Sequence, residues 1–319
     1  MRVLVTGGAG FIGSNLVDAL LKRGLEIVVI DNFLHGNKLL RQSIDAVRLV
    51  EGDIRDTELV TELARGCQWI FHMAAFLGVD CVADNPVETM EIEAFGTRSV
   101  ATAAIVNGVE KIIYASTSGI YGKAAIERAV DEEFLVSPSS SYSIAKRYNE
   151  IYLQSLFQEK SLQSMSLRYF NVYGPRQDAR MVIPRFIKQA LDGQPISVFG
   201  DGQQSRDFTY IGDTVEATIQ VAEKVRGCEV INVANGHDLP ILDLAQRIVT
   251  ATGSPSEVQC LEPPPGRYDF EVQRRCGNSA KLRRLTGFEF ETSFDDGLAT
   301  TCAELKSTLV PPTVLSATG

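Results

Sequence analysis

Glycines at 7, 10 and 13, set directly behind the apolar run Val3-Leu4-Val5, are the feature that most narrows what this chain can fold into. Gly7 permits a turn that a Cβ would block, Gly10 lets backbone approach a pyrophosphate, and Gly13 lets the following helix pack tightly on the strand. The N-terminus of that helix then faces the anion. An apolar stripe of Leu16, Val17, Leu20 and Leu21 marks the helix, and Gly24 behind Lys22 and Arg23 stops it. A second apolar run, Ile27 to Ile30, ends in Asp31. A carboxylate at that offset suits a ribose 2′-hydroxyl and repels a 2′-phosphate, so the spacing predicts NAD rather than NADP as cofactor. Glycines alone fit a plain strand-to-helix turn; strand, helix and acid in this order favour a nucleotide site.

Further apolar runs continue the alternation: Val47 to Val50 ahead of Asp53, Trp69 to Met73, Ile112 to Ser116 and Met165 to Tyr169, with helical stretches around 57–66, 87–107 and 141–159. Such alternation predicts parallel strands joined by crossover helices, an α/β fold built on a doubly wound parallel Rossmann sheet. Open sheets of this kind bind ligands at the carboxyl ends of their strands, so Gly7, Asp31, Asp53, Ala74 and Ser116 are expected to line one crevice. From about residue 172, Gly- and Pro-punctuated elements take over, at Tyr173-Gly174-Pro175-Arg176, Phe199-Gly200-Asp201-Gly202 and Pro263-Pro264-Pro265-Gly266. Helical patterns near 213–225, 241–252 and 294–307 alternate there with short strands near 196–199 and 229–233. The organisation expected is a Rossmann domain over 1–171, to which some later segments return, a smaller C-terminal α/β substrate-binding lobe over 172–310, and a loose tail over 311–319.

Composition excludes several classes. A formal charge of −9 argues against nucleic acid as a partner, and no apolar run approaches membrane-spanning length, so no membrane is expected. Nothing ahead of the first strand resembles a signal peptide, which points to the cytoplasm. Six cysteines without a Cys-x-x-Cys pair, and three histidines, predict reduced packing thiols and no metal site.

The chemistry is expected at Tyr142-Ser143-Ile144-Ala145-Lys146. Positions i and i+4 share a helix face, so the Lys146 ammonium can lie beside the Tyr142 phenol and the cofactor ribose. A positive charge there favours the phenolate and brings the phenol within range as a base. Ser116-Thr117-Ser118, at a strand end, can supply a hydroxyl to the same substrate oxygen. An isolated Tyr-x-x-x-Lys is more often a surface pair, but this one follows the fifth strand of a nucleotide-binding sheet.

Thr6 to Gly13, Asp31, Asp53-Ile54, His72-Met73-Ala74-Ala75, residues 116–118, Tyr142/Lys146 and Arg168-Tyr169-Phe170-Asn171-Val172-Tyr173-Gly174-Pro175-Arg176 together resemble the extended short-chain dehydrogenase/reductases, in their NAD-dependent epimerase/dehydratase branch. The resemblance runs over about residues 1 to 300, through Phe199 to Tyr210, and is closest to the UDP-glucose 4-epimerase type. It implies that Gly7, Gly10, Phe11, Ile12 and Gly13 hold the pyrophosphate, Asp31 and Asn32 the adenosine ribose, and Asp53 and Ile54 the adenine. Ala74, Ala75, Ser116, Tyr142, Lys146 and Phe170 would line the nicotinamide end. Asn171, Val198, Phe199 and Arg206 would contact the nucleoside diphosphate, with Arg267 and Asp269 as further contacts. Arg206 is alternatively a structural ion pair with an acid such as Asp207.

The mechanism so implied has Tyr142 take the proton of a sugar hydroxyl at C4 while hydride moves to the nicotinamide, with Thr117 bonded to the same oxygen and Lys146 holding phenol and ribose. Sugar 4,6-dehydratases of this family carry Asp-Glu after the threonine, decarboxylases a glutamate and 3,5-epimerases a cysteine at the second position. Here the residues are Ser118 and Gly119, which leaves 4-epimerisation. The resemblance implies a nucleotide sugar, a UDP-hexose, as substrate and a homodimer joined through the helices near 87–107 and 141–159. A dehydratase or another NAD-dependent nucleotide-sugar-modifying enzyme is the alternative, and a non-catalytic NAD-binding redox sensor a more distant one. An NADPH-dependent reductase is disfavoured by Asp31 and the Arg206 segment.

One residue departs from the family. The asparagine usual three positions before the glycine of Gly96-Thr97 is Glu93, which is either a substrate contact, a second acid or base, or a tolerated change. Cys81 reads as a packed thiol and His72 as a structural strand end. Arg274, Arg275, Lys281, Arg283 and Arg284 read as a solvated face, with Arg275 or Arg180 as partners for a carboxylated sugar.

Overall fold

Strand β1 (Arg2–Thr6) is buried from Val3 to Thr6, and its side chains serve two layers. Val3 and Val5 enter one apolar cluster and Leu4 the other, which is what a strand covered by helices on both faces requires. A computed structural model of the protein describes residues 1–76, 84–123, 128–262 and 272–309. After β1 come α1 (Phe11–Lys22), β2 (Glu26–Asp31), α2 (Arg41–Ala46), β3 (Arg48–Glu51), α3 (Thr57–Leu63) and β4 (Trp69–His72). Then follow α4 (Pro86–Met90), a π turn (Glu91–Phe95), α5 (Gly96–Asn107), β5 (Lys111–Thr117), a 3₁₀ turn (Ser118–Tyr121), α6 (Ser141–Lys160) and β6 (Gln163–Tyr169). The second half carries β7 (Asn171–Tyr173), α7 (Val182–Leu191), β8 (Ile196–Phe199), β9 (Ser205–Tyr210), α8 (Ile211–Lys224) and β10 (Cys228–Val233). It ends with β11 (Asp238–Pro240), α9 (Ile241–Thr252), β12 (Val258–Leu261), β13 (Arg274–Arg275), α10 (Ala280–Thr286) and α11 (Phe294–Leu309).

The large sheet has seven strands in the order β10-β6-β5-β4-β1-β2-β3, every pair parallel. The order reverses between β1 and β4, where a ligand crevice is expected. Helices α1, α8 and α10 cover one face, through Leu16, Val17, Val215, Ile219 and Leu282; α3, α5 and α6 cover the other, through Val60, Leu63, Val100 and Leu153. The smaller lobe closes its own core from α7, α9, α11, β8 and β9, with Ile187, Leu244, Leu298, Ile196 and Phe208 inside.

Two expectations need correcting. The strand near 229–233, placed in the smaller lobe, is β10 at the edge of the large sheet, and the helix before it packs chiefly on α1 and α10. Ile231 and Val233 are fully buried there, and α8 supplies the crossover that a parallel strand needs; Gly and Pro around it disguised an ordinary β-α-β unit. The helix expected over 87–107 is interrupted by the π turn, a one-residue widening that apolar periodicity does not reveal.

Two buried polar clusters pin the strand ends. His72 on β4 bridges β1 and α5, with Nδ1 2.7 Å from Thr6 Oγ1 and Nε2 3.1 Å from Thr97 Oγ1. Glu150 on α6 accepts from both sides of Arg168 on β6, at 3.0 Å each, and from Ser116 Oγ at 2.6 Å and Arg147 Nη1 at 2.9 Å. A buried pair with all its bonding capacity filled tolerates the loss of water. This one fixes the end of β5 against α6. No helix among the described residues is long and apolar enough to cross a membrane.

Burial, and then the positive charge of Lys146, lowers the His72 pKa from 6.5 to about 3. The unfolded chain therefore gains a proton that the folded one refuses, so the stability contributed by the neutral ring is full above pH 6.5 and is lost as pH falls towards 3. In His72→Gln the fall of unfolding free energy across that window should be shallower by up to ~1.4 kcal/mol per pH unit, read by urea denaturation at a series of pH values. A variant curve parallel to that of the wild type would contradict the assignment.

Candidate active site

The carboxyl ends of the large sheet open on one cleft of about 410 Å³. At its base Gly7 turns with φ +67°, and a Cβ there would lie 2.5 Å from the Ala74 backbone nitrogen, while one on Gly13 would strike the Gly7 carbonyl. Backbone thus approaches backbone where no side chain fits, and the first turn of α1 is left facing the cleft. Such a cradle fits a dinucleotide pyrophosphate. Gly10, Phe11 and Ile12 line the same wall.

Asp31, at the end of β2, accepts from Ala9 N and Phe33 N at 2.9 Å each. Burial pushes its carboxyl up, and those two N–H groups oppose the shift. Asp31 and Asn32 line the cleft, as do Asp53 and Ile54 beyond them. Asp53 is held below the usual carboxylate range, chiefly by its hydrogen bonds from Arg55, the shortest at 2.6 Å. Across the mouth, Arg180 from the smaller lobe pairs with Asp178 at 2.8 Å and meets His35 Nδ1 at 3.2 Å, a contact no sequence pattern marked.

At the other end of the cleft stand Ala74, Ala75, Ser116, Thr117, Tyr142, Lys146, Phe170 and Asn171. The Ser116 hydroxyl is committed to Glu150, but Thr117 Oγ1 accepts from Gly119 N at 3.0 Å, which leaves its own proton to donate. A Cβ built on Gly119 would be 3.3 Å from that oxygen, so residue 119 adjoins the Thr117 hydroxyl and contributes no group to it. A capping box at Ser140 and Ser143 starts α6 just before Tyr142, and the helix presents Tyr142 and Lys146 on one face.

The structure corrects the expectation that Lys146 simply acidifies Tyr142. The Lys146 ammonium lies 5.4 Å from the centre of the Tyr142 ring, but its Nζ is 3.0 Å from Glu93 Oε2, with both side chains buried. Burial, and then the Glu93 charge, pushes the Tyr142 phenol above its ordinary range. Glu93 does not line the cleft, so it is not placed as a substrate contact.

Other assigned residues are dispersed. Val198 is fully buried in the core of the smaller lobe, and Phe199 lines a second cavity beside Asp201, Gln204 and Gln273, with the Arg185 guanidinium 5.4 Å from its ring. Arg206 Nη1 donates to Ser205 O at 2.8 Å. Its suggested partner Asp207 points the other way and accepts from the backbone of Asn235, Gly236 and Gly277; burial raises its pKa to about 6. Arg267, Asp269 and Cys81 lie outside the described residues.

The NAD dependent epimerase/dehydratase family matches the chain over residues 3–234. A UDP-N-acetyl-alpha-D-glucosaminuronate decarboxylase of Bacillus cytotoxicus is 36% identical over 312 residues, 94% of this chain and 96% of that protein. The crystal structure of UDP-glucose 4-epimerase from Thermotoga maritima with UDP-glucose superposes with a TM-score of 0.91 at 32% identity, covering 97% of this chain and all of that one. That of Thermus thermophilus UDP-glucose 4-epimerase with NAD gives 0.88 at 33% identity, over 97% and 100% of the two chains. With its fold, its glycine cradle and this match over most of its length, the chain belongs to the NAD-dependent epimerase/dehydratase family of nucleotide-sugar enzymes.

Proposed function

We propose that the protein is an NAD-dependent nucleotide-sugar 4-epimerase acting on a UDP-hexose through a transient 4-keto sugar, with Tyr142 as acid and base. One observation carries this reading. Tyr142, Lys146 and Thr117 meet at one end of the cleft, and among the described residues the carboxylates lining it, Asp31, Asp53 and Asp178, belong to other elements around β2, β3 and the smaller lobe. Eliminating water from the sugar needs an extra acid and base at the reacting end. Ser118 and Gly119 provide neither.

NAD, when bound, accepts hydride from the sugar carbon and returns it. The protein's own part is to take and give back one proton and to hold the oxygen between. Tyr142 removes the hydroxyl proton as Thr117 donates a hydrogen bond to the same oxygen, and Lys146 anchors the phenol beside the cofactor ribose. After the keto sugar turns over, Tyr142 re-protonates the oxygen with hydride delivered to the opposite face, so protons and electrons balance. Asn171, Phe199 and Arg206, with Arg267 and Asp269, are assigned to the nucleoside diphosphate.

Arg275 favours a second reading of the sugar, one bearing a carboxylate. Its Nε is sealed from solvent and meets no acceptor among the described residues, and its Nη2 lies 3.5 Å from the carbonyl of Gly122, which caps the turn that follows Thr117. We infer a homodimer, because Val87, Phe95, Ile144, Tyr148 and Ile151 are exposed on and around the two long helices; a cytoplasmic location is proposed with it.

Incubation with UDP-glucose, UDP-galactose and UDP-glucuronate, read by NMR, should give C4 epimers; a 4-keto-6-deoxy product, or loss of the carboxyl carbon, would sink epimerisation. Tyr142→Phe should lower kcat by roughly 10²-fold or more. Full activity in that variant means the base is another group. Sedimentation should show a dimer that Ile151→Arg with Tyr148→Asp converts to monomer, and a wild-type monomer would refute the assembly.

A further inference from the structure

Glu93 stands at the middle of the π turn, in the wall behind the reacting end of the cleft. Single π turns interrupt a helix at some cost in hydrogen-bond geometry and tend to persist where a side chain they direct is used. Here every polar group of Glu93 is engaged. Oε2 pairs with Lys146 Nζ at 3.0 Å, Oε1 accepts from Phe76 N at 3.1 Å, and the backbone oxygen accepts from Asn149 Nδ2 at 3.0 Å. The Glu93 and Lys146 side chains are 1% and 0% exposed, so water does not screen the pair.

We propose that Glu93 is a positioning residue: by closing an ion pair on Lys146 it fixes the ammonium beside Tyr142 and cancels most of the positive field that would otherwise act on the phenol. This rests on the reading of Tyr142 as the acid and base. A lone ammonium near a phenol favours phenolate, whereas an ammonium with a carboxylate against it acts as a short dipole whose field falls off faster. Burial and Glu93 both push the Tyr142 phenol up, in agreement with the geometry.

The other groups facing the pair leave it to act alone. His72 on β4 is held neutral across the working range, and Tyr114 on β5, 4.9 Å from Lys146 by its ring centre, is kept protonated chiefly by burial. Glu150 on α6 is spent on Arg168 and Arg147, and Glu91, on the π turn itself, faces solvent. Asn149 on α6 is neutral and joins the π turn to Tyr114 by a bond of 2.9 Å to the phenol oxygen. Among the described residues the charge of Lys146 is thus answered by one carboxylate, which holds Lys146 and Phe76 from behind the cleft wall without lining the cleft itself.

The test is a titration of the phenol itself. NAD-loaded protein labelled with ¹³Cζ-tyrosine is followed by NMR across pH, the Tyr142 signal being identified by its absence in Tyr142→Phe. In Glu93→Gln, which keeps the shape and an oxygen for Phe76 N, the midpoint should fall by about one pH unit or more, whereas Glu93→Asp, which keeps the charge, should stay near the wild type. If Glu93→Gln does not fold, Glu93→Asn serves as the second neutral variant. The acid limb of the pH profile of kcat/KM on UDP-glucose should move with the midpoint while KM changes little. A midpoint unmoved in the neutral variants overturns the proposal even when Tyr142→Phe is inactive. Full activity of Tyr142→Phe overturns the catalytic reading instead, whatever the midpoint does.

Discussion

The structure depends on the close approach of Gly7 to the backbone of Ala74. Strands β1 and β4 are neighbours in register, Thr6 beside His72, and the chains leaving them must diverge to opposite faces within one or two residues. The space between the two departing backbones admits no Cβ. Because that turn is tight, α1 begins at the lip of the sheet with its N–H groups towards the cleft, and the loops after β2, β3 and β5 are brought round the same opening.

A cleft so built is only as exact as the residues that hold its far end. Thr117 is the last residue of β5, and β5 is clamped through Ser116 to Glu150, which in turn grips Arg168 on β6. Arg168 Nη1 also reaches the Tyr121 hydroxyl at 2.9 Å, so the turn that follows Thr117 is tied to the same cluster. The two sides of this end of the cleft, the strand end with its threonine and the helix with its tyrosine, are joined by buried charge rather than by apolar packing alone. Burial of such a pair is costly unless every bond is made, and here it is. The benefit is rigidity where the Thr117 and Tyr142 side chains line the cleft.

Much of this was legible in the chain. Gly7, Gly10 and Gly13 are constrained by local geometry, Asp31 by its distance along a β-α-β unit, and Tyr142 and Lys146 by the helical period. Each of those signals is local, and each residue lies in the one cleft. What was not legible depends on contacts across the fold. The pairing of Glu93 with Lys146 spans α6 and a π turn that has no sequence signature. The return of β10 to the large sheet is decided by which edge is free to accept a strand. Val198 illustrates the converse failure: a place in a recognised motif says nothing about which way a side chain turns, and this one faces the core of the smaller lobe.

Relatives that share over nine-tenths of their length with this chain include a decarboxylase as well as 4-epimerases, so overall likeness does not decide the reaction. The reason is physical. Oxidation at one sugar carbon by tyrosine, lysine and cofactor makes a keto sugar, and what happens next depends on whether a further proton-transfer group reaches the neighbouring carbons. Residue 119 adjoins the Thr117 oxygen, so a carboxyl or thiol placed there would be delivered to the reaction centre, and glycine delivers nothing. On the proposed reading, with that position empty and Glu93 turned to Lys146 behind the wall, the outlet that requires no additional group is rotation of the keto sugar and return of hydride. The branch of chemistry is thus set less by the fold, which the relatives share, than by the few ångströms around Thr117.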